Sequence, residues 1–258
     1  IFLDHKIYII FHFAAFSNVN ESKKNPKKFF TNNVISTDNL LQNTELFKIK
    51  YFIFSSSAAV YGNTKFKTNI RENTFLKPIS AYGKSKKISE NNIIKYSKNN
   101  DLKYCILRYF NVVGKDLGNN FVKKKNFNLF EKLEHFKTRN KTIKIFGKNL
   151  KTYDGTPVRD FIFIDDLINA HLICLKKINH KKFWNDIYNV GYNKGYSVLD
   201  VILEHNKYFN NKIRYKLSNM RKGEIVRSVA NTNKFLKKTN WRPKMNNLKK
   251  IIISFFKN

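Results

Sequence analysis

The sequence is poor in glycine, proline, cysteine and acid: nine Gly, four Pro, two Cys and 18 Asp plus Glu stand among 258 residues, against 50 Lys plus Arg. Each shortage excludes something. Cys105 and Cys174 lie far apart in apolar stretches, which gives neither a disulfide framework nor metal-ligand spacing and reads as two buried, inert thiols. No apolar run nears the roughly 20 residues that span a bilayer, and the greasiest, Ile7 to Phe16, is broken by His12 and alternates like a strand. The reading is therefore a soluble chain without a membrane partner. The first residue is Ile, and no basic-then-apolar leader precedes the first strand, so no secretion signal is expected and the true N-terminus is expected upstream.

The scarcity of acid leaves a net charge of +32, which would ordinarily point to a polyanion partner. The charge is nearly all Lys, spread along the chain together with an excess of Asn, Ile, Phe and Tyr, residues with A- and T-rich codons. Coding bias explains it better than nucleic-acid binding, so specific nucleic-acid recognition is set aside. A salt-sensitive, nonspecific affinity for polyanions stays open.

What is present in quantity is apolar patterning. At 42% hydrophobic content the chain buries a sizeable core. Short runs rich in Ile, Tyr, Phe and Val recur at Ile7 to Phe13, Tyr51 to Ser55, Tyr104 to Tyr109, Phe161 to Ile164 and Ile187 to Val190, with helical segments between them. That rhythm predicts a parallel α/β sheet. Pro26 suits the first turn of a helix burying Phe29, Phe30, Val34, Leu40 and Leu41. A second helix is expected from Ser80 towards Ser97 with Ile88 and Ile93 inward, a third after the cap-like Ser197 and Asp200, and a last one over about Leu248 to Phe256, as a lid or packing element. The basic, Asn-rich stretch Lys115 to Lys125 reads as a loop. Beyond it, shorter and more polar elements suit a smaller lobe over the carboxyl ends of the strands, where open α/β sheets bind ligands.

Chemistry concentrates at Tyr82 and Lys86. On a helix these positions share a face, so an ammonium can stabilise a phenolate that acts as a base near neutral pH. Spacing alone is not specific, since Tyr61/Lys65 and Tyr208/Lys212 repeat it. What distinguishes Tyr82 is the strand Tyr51 to Ser55, which runs into Ser55-Ser56-Ser57-Ala58-Ala59-Val60-Tyr61-Gly62 just upstream. A hydroxyl at a strand's carboxyl end and a Tyr on the next helix can converge on one substrate atom.

This set resembles the Ser, Tyr and Lys of the extended short-chain dehydrogenase/reductase superfamily, and the finer resemblance, over essentially the whole chain, is to the UDP-galactose (UDP-glucose) 4-epimerase family. The resemblance implies a Rossmann-like parallel sheet with helices on both faces, N-terminally truncated, plus a smaller α/β substrate lobe. Residues 1–112 and about 158–185 would form the dinucleotide domain, with 113–157 and 186–258 the UDP-sugar lobe. It implies catalytic roles for Tyr82, Ser57 and Lys86, with Lys86 and a positive nicotinamide lowering the Tyr82 pKa. It implies NAD contacts at Phe13, Ala14, Ala15, Ser17, Asn32, Ser57, Tyr82, Lys86 and Phe110. Asn111, Asn128, Leu129, Lys144, Ile145, Phe146, Arg159, Arg221 and Glu224 are the implied UDP-sugar contacts, Arg159 gripping the diphosphate through its planar fork. A homodimer through helices including that of Tyr82, and a cytoplasmic location, are implied as well.

The departures from the family pattern carry their own expectations. Phe163 stands where a His is usual and reads as core; Asn193 interrupts a glycine turn; Glu224 replaces an Asp. Ser228 stands where hexose-restricted enzymes often have Tyr, which leaves an N-acetylhexosamine substrate open. His12 reads as a structural histidine. No Gly-x-x-Gly-x-x-Gly turn precedes Ile7, so the chain as given is expected to bind NAD poorly and to be inactive alone. The expected activity of the parent protein is interconversion of UDP-glucose and UDP-galactose through a 4-keto sugar. A related sugar-nucleotide epimerase or dehydratase, an inactive fragment, or a basic binding module are the alternatives.

Overall fold

The apolar runs pair with one another, and the alternation within them decides which layer each side chain enters. The computed structural model describes residues 6–64, 68–115, 128–139, 141–220 and 223–257. In chain order the elements begin β1 (Ile9–His12), α1 (Val19–Lys24), α2 (Pro26–Phe30), α3 (Ser36–Leu46), β2 (Tyr51–Ser57), α4 (Ala81–Asn99) and β3 (Lys103–Tyr109). Then come β4 (Asn111–Val113), α5 (Leu129–Thr138), β5 (Ile143–Phe146), β6 (Val158–Arg159), β7 (Phe161–Phe163), α6 (Ile164–Lys176) and β8 (Asp186–Val190). The rest are β9 (Tyr196–Ser197), α7 (Val198–Tyr208), β10 (Tyr215–Ser218), β11 (Arg227–Ser228), α8 (Asn233–Thr239) and α9 (Leu248–Phe256).

Among the described residues the main sheet has the order β1-β2-β3-β8, all parallel. Its central strands are apolar on both faces, as a sheet covered on both sides requires. Phe52, Phe54, Tyr104 and Ile106 face Leu41 of α3 and Ile93 of α4. Ile53, Cys105 and Leu107 join a second cluster with Leu167, Ala170 and Cys174 of α6. The two cysteines, distant in sequence, meet there as fully buried thiols, and burial pushes the Cys105 thiol up. Smaller sheets, β10-β5, β11-β6-β9 and β4-β7, carry the remaining strands. Strand β8 pairs with β3, so residues 186–190 belong to the main sheet rather than to the smaller lobe expected from residue 186 onward.

Local chemistry sets the helix ends. Ser80 caps α4 by accepting from Gly83 N at 3.0 Å, and Ser197 and Asp200 form a reciprocal capping box on α7. Pro26 opens α2 as expected, yet the predicted single helix is three pieces, because Thr31–Ile35 forms a π-helical turn between α2 and α3. The extra residue rotates the buried face. Phe29, Val34 and Leu41 face inward, while Phe30 is exposed. On α4 the inward stripe is Lys86, Ser89, Glu90 and Ile93, which turns Ile88 outward, against expectation. Helix α9 is core, with Ile251, Ile252 and Phe255 buried, and Phe163 is buried as its sequence position implied. Most of the loop expected over Lys115 to Lys125 lies outside the described residues.

The same parity puts polar groups inside. Ser56 and Arg108 are in register on β2 and β3 and lie on the α4 face. Arg108, buried to 2% exposure, donates from Nε and Nη2 to the two Glu90 carboxylate oxygens at 2.9 and 2.6 Å, and Ser56 donates to the same carboxylate. Arg108 also donates to Tyr61 Oη at 2.9 Å and to the Glu72 carbonyl at 3.0 Å, and Tyr61 donates to Asn189 Oδ1 of β8 at 2.7 Å. One carboxylate therefore ties α4 to both central strands. Replacing Glu90 with Gln leaves Arg108 buried and uncompensated and is expected to cost about 3–5 kcal/mol in urea unfolding, much of it recovered in a Glu90→Leu/Arg108→Met pair. A loss under about 1 kcal/mol in Glu90→Gln would remove this pair from the frame of the fold.

Candidate active site

At the carboxyl edge of the main sheet the chain leaves β2 through Ser57, which caps a 3₁₀ turn at Ala58–Val60 by accepting from Ala59 N at 3.2 Å. The first turn of α4 presses against that turn. A Cβ on Gly83 would come within 2.4 Å of the Ala59 carbonyl oxygen, so only glycine permits the approach without backbone movement. The consequence falls on its neighbour: Tyr82, in the first turn of α4, is brought to the Ser57 turn. Burial pushes its phenol up, and the Ser57 hydrogen bond opposes the shift.

Lys86, one turn further along α4, is 3% exposed. Its Nζ donates to the Ser55 carbonyl at 2.6 Å and stands 4.6 Å from the centre of the Phe54 ring. Burial lowers its pKa to about 8, and Glu90 opposes the shift. The expected depression of the Tyr82 pKa by Lys86 is not seen here, because the ammonium is aimed at the Ser55 carbonyl and the Phe54 ring. The two sequence decoys separate cleanly. Tyr61 is a buried partner of Arg108, and Lys212 donates to the Asn206 carbonyl.

The segment leaving β1 completes this edge. Phe13, Ala14 and Ser17 are exposed, Ala15 and Asn32 half-buried. The segment is fixed by Asn33, which accepts from Phe16 N at 2.8 Å and donates to Phe16 O and to Ser85 Oγ, both at 3.0 Å. Asn33 sits in the π-helical turn, and the sequence reading had singled out its neighbour Asn32. His12, 8% exposed, bonds Thr37 Oγ1 at 2.9 Å, the structural role expected of it. Phe110 is buried against Val60, Tyr61 and Ala230, behind the serine turn.

Two residues past β3, at Asn111, begins an open cleft of about 790 Å³. Asn128, Leu129, Lys144, Ile145, Phe146, Arg159 and Glu224 line it with Asn111, which brings together every expected UDP-sugar contact except Arg221, a position outside the described residues. Arg159 donates to Glu224 Oε1 at 2.9 Å and to the Val158 carbonyl at 2.9 Å. Asp160 next to it accepts from Tyr192 N, Asn193 N and Ala230 N at 2.8, 3.0 and 3.2 Å. Asn193 takes the left-handed conformation (φ 61) that the missing glycine would have supplied, which Asn tolerates. Ser228 is buried in register with Arg159.

Residues 1–191 match the NAD dependent epimerase/dehydratase family. The chain is also 36% identical over 258 residues to UDP-glucose 4-epimerase of Lactobacillus helveticus, an alignment covering 98% of this chain and 77% of that protein. The chain belongs to the NAD dependent epimerase/dehydratase family. Among solved structures, UDP-glucose-4-epimerase of Stenotrophomonas maltophila with bound NAD and formylated UDP-arabinopyranose superposes with a TM-score of 0.89 at 27% identity, covering 98% of this chain and 76% of that one. The UDP-Glc/GlcNAc 4-epimerase of Campylobacter jejuni gives 0.83 at 34% identity, with 99% and 78% covered. The main sheet is thus the Rossmann-like sheet of this family.

A dinucleotide of the kind that the family name specifies has a ribose with vicinal hydroxyls and a flat aromatic ring. The residues present fit that half of it: a buried ammonium, a half-buried phenol and an exposed aromatic among small side chains, all at one strand edge. Among the described residues no glycine precedes β1 to form a phosphate turn.

The unfolded chain binds a proton on His12 below about pH 6.5, whereas burial, aided by Lys86, keeps the folded imidazole neutral to about pH 4. Stability is therefore expected to fall as pH drops from 6.5 to 4, by about 3 kcal/mol from this residue. Urea unfolding across that range checks it. The wild type should lose more than His12→Gln, and equal losses would contradict the assignment.

Proposed function

We propose that the protein is an NAD-dependent 4-epimerase of UDP-sugars that interconverts UDP-glucose and UDP-galactose. The observation that carries this reading is the convergence of Ser57, Tyr82 and Lys86 at one sheet edge beside a cleft that holds Arg159 and the asparagines 111 and 128. Its family relatives that bear epimerase names support it.

In this reading Tyr82, as phenolate, takes the proton of the sugar C4 hydroxyl and later returns one to the same oxygen. Ser57 hydrogen-bonds that oxygen and passes the proton along its contact with the phenol. Lys86, charged below about pH 8, holds ribose hydroxyls. NAD, when bound, would supply hydride-transfer chemistry at C4 and a positive charge that favours phenolate. Phe13, Ala14, Ala15, Ser17, Asn32 and Phe110 are the remaining side chains proposed to face the cofactor. Asn111, Asn128, Leu129, Lys144, Ile145 and Phe146 seat the nucleotide, Arg221 adds a phosphate contact, and Glu224 reaches the ribose. Arg159 anchors the diphosphate, about which the 4-keto sugar turns to present its other face.

A dehydratase reading is weaker. Ser57-Ala58-Ala59 stands where such enzymes carry an acid pair, and the buried carboxylate of Glu90 is held by Arg108 and Ser56. We also propose a homodimer, for which the π-helical turn, α3 and α4 offer the exposed apolar side chains Ile35, Leu46 and Ile88, and a cytoplasmic reaction. Among the described residues no helix is long and apolar enough to cross a membrane.

In the full-length protein loaded with NAD, Tyr82→Phe is expected to lower turnover of UDP-galactose by about 10²- to 10⁴-fold while leaving UDP affinity unchanged. Near-normal turnover would remove Tyr82 from the role of base.

A further inference from the structure

The cleft carries more positive charge than Arg159 and Lys144 supply. Among its lining residues are five cations, Lys23, Lys24, Lys132, Lys144 and Arg159, and one carboxylate, Glu224, which is already paired with Arg159. Three of these cations come from the β-strand and α5 side. Lys23 and Lys24 come from the last turn of α1, on the opposite wall.

These two lysines stand on a fixed base. Asn18 caps α1 by accepting from Glu21 N at 2.8 Å, Ser22 is fully buried, and Glu21 pairs with Lys28 of α2 at 2.8 Å. Lys23 reaches across: its Nζ lies 3.6 Å from where a Cβ on Gly223 would stand, beside the residue that holds Arg159. Lys23 and Lys24 add two ammonium groups to a lining that already holds Lys132, Lys144 and Arg159, so an anion of more than one charge in the cleft is attracted from both sides of the chain's fold. A flexible ammonium serves phosphate as a point charge, without the directional fork of arginine.

We propose that Lys23 and Lys24 are specificity-determining residues that grip the phosphates of a nucleoside diphosphate sugar from the α1 side, opposite Arg159. The proposal rests on the nucleotide-sugar reading above and adds a second wall to its diphosphate site. The two walls belong to different parts of the chain, so the diphosphate is the group that joins them. Charge, not shape, is the discriminator: a nucleoside without phosphate gains nothing from these lysines.

Calorimetric titration of UDP and of uridine tests this, with the wild type, Lys23→Ala/Lys24→Ala, and the remote exposed pair Lys237→Ala/Lys238→Ala as a control of equal net charge. Removing the α1 lysines should weaken UDP binding about tenfold and make it less salt-dependent, with uridine and the control pair within about twofold of wild type. Unchanged UDP affinity, an equal loss for uridine, or an equal loss in the control pair would overturn the proposal. Failure of the wild type to bind UDP at all would overturn the nucleotide-sugar reading, and this one with it.

Discussion

The buried carboxylate of Glu90 is the point on which the rest of the structure depends. It accepts from both ends of the Arg108 fork and from Ser56, so it locks helix α4 to strands β2 and β3 at one height. Ser57 follows Ser56 directly, Lys86 lies one turn before Glu90, and Tyr82 one turn before that. The relative position of the three proposed catalytic groups is therefore set by one ion pair a few residues behind them. A buried pair of this kind adds little net stability over well-packed apolar side chains, because desolvation offsets attraction. Its contribution is register: an apolar contact tolerates sliding along the helix, and a bidentate fork does not.

From that anchor the constraint spreads in two directions. Arg108 passes it through Tyr61 to Asn189 on β8, and burial, which pushes the Tyr61 phenol up to about 12, keeps that hydroxyl a neutral donor. On the other side Gly83 lets α4 touch the serine turn, and Asn33 hangs the segment after β1 on the same helix through Ser85. The cleft is organised differently. Arg159 pairs with one part-exposed carboxylate, Glu224, so a fully buried pair behind the proposed catalytic groups coexists with a less buried one at the cleft.

Much of this was legible in the sequence because short apolar runs and helix caps are local signals. The strands at 51, 104, 161 and 187, the caps at Ser80 and Ser197, and the α9 boundaries all follow from such signals. The cleft residues became legible through family motifs instead, since Asn111, Lys144 and Arg159 share no periodicity. Three kinds of feature escaped. The π-helical turn adds one residue to a helical pattern without any residue type that marks it, so Phe30, expected inside, is exposed. The domain boundary expected at 186 falls before β8, which pairs with β3 in the main sheet, because pairing order is a non-local property. The ion pair left a trace: an Arg amid the apolar strand Tyr104 to Tyr109 demands a buried acid, and Glu90 is the acid on the face that carries Ile93.

The central claim is that C4 is oxidised and re-reduced within one site without exchange of its hydrogen. The direct measurement is proton NMR of UDP-galactose incubated with the full-length protein and NAD in deuterated water. The account predicts UDP-glucose with protium retained at C4. Deuterium at C4, or a 4-keto-6-deoxy product, would contradict it.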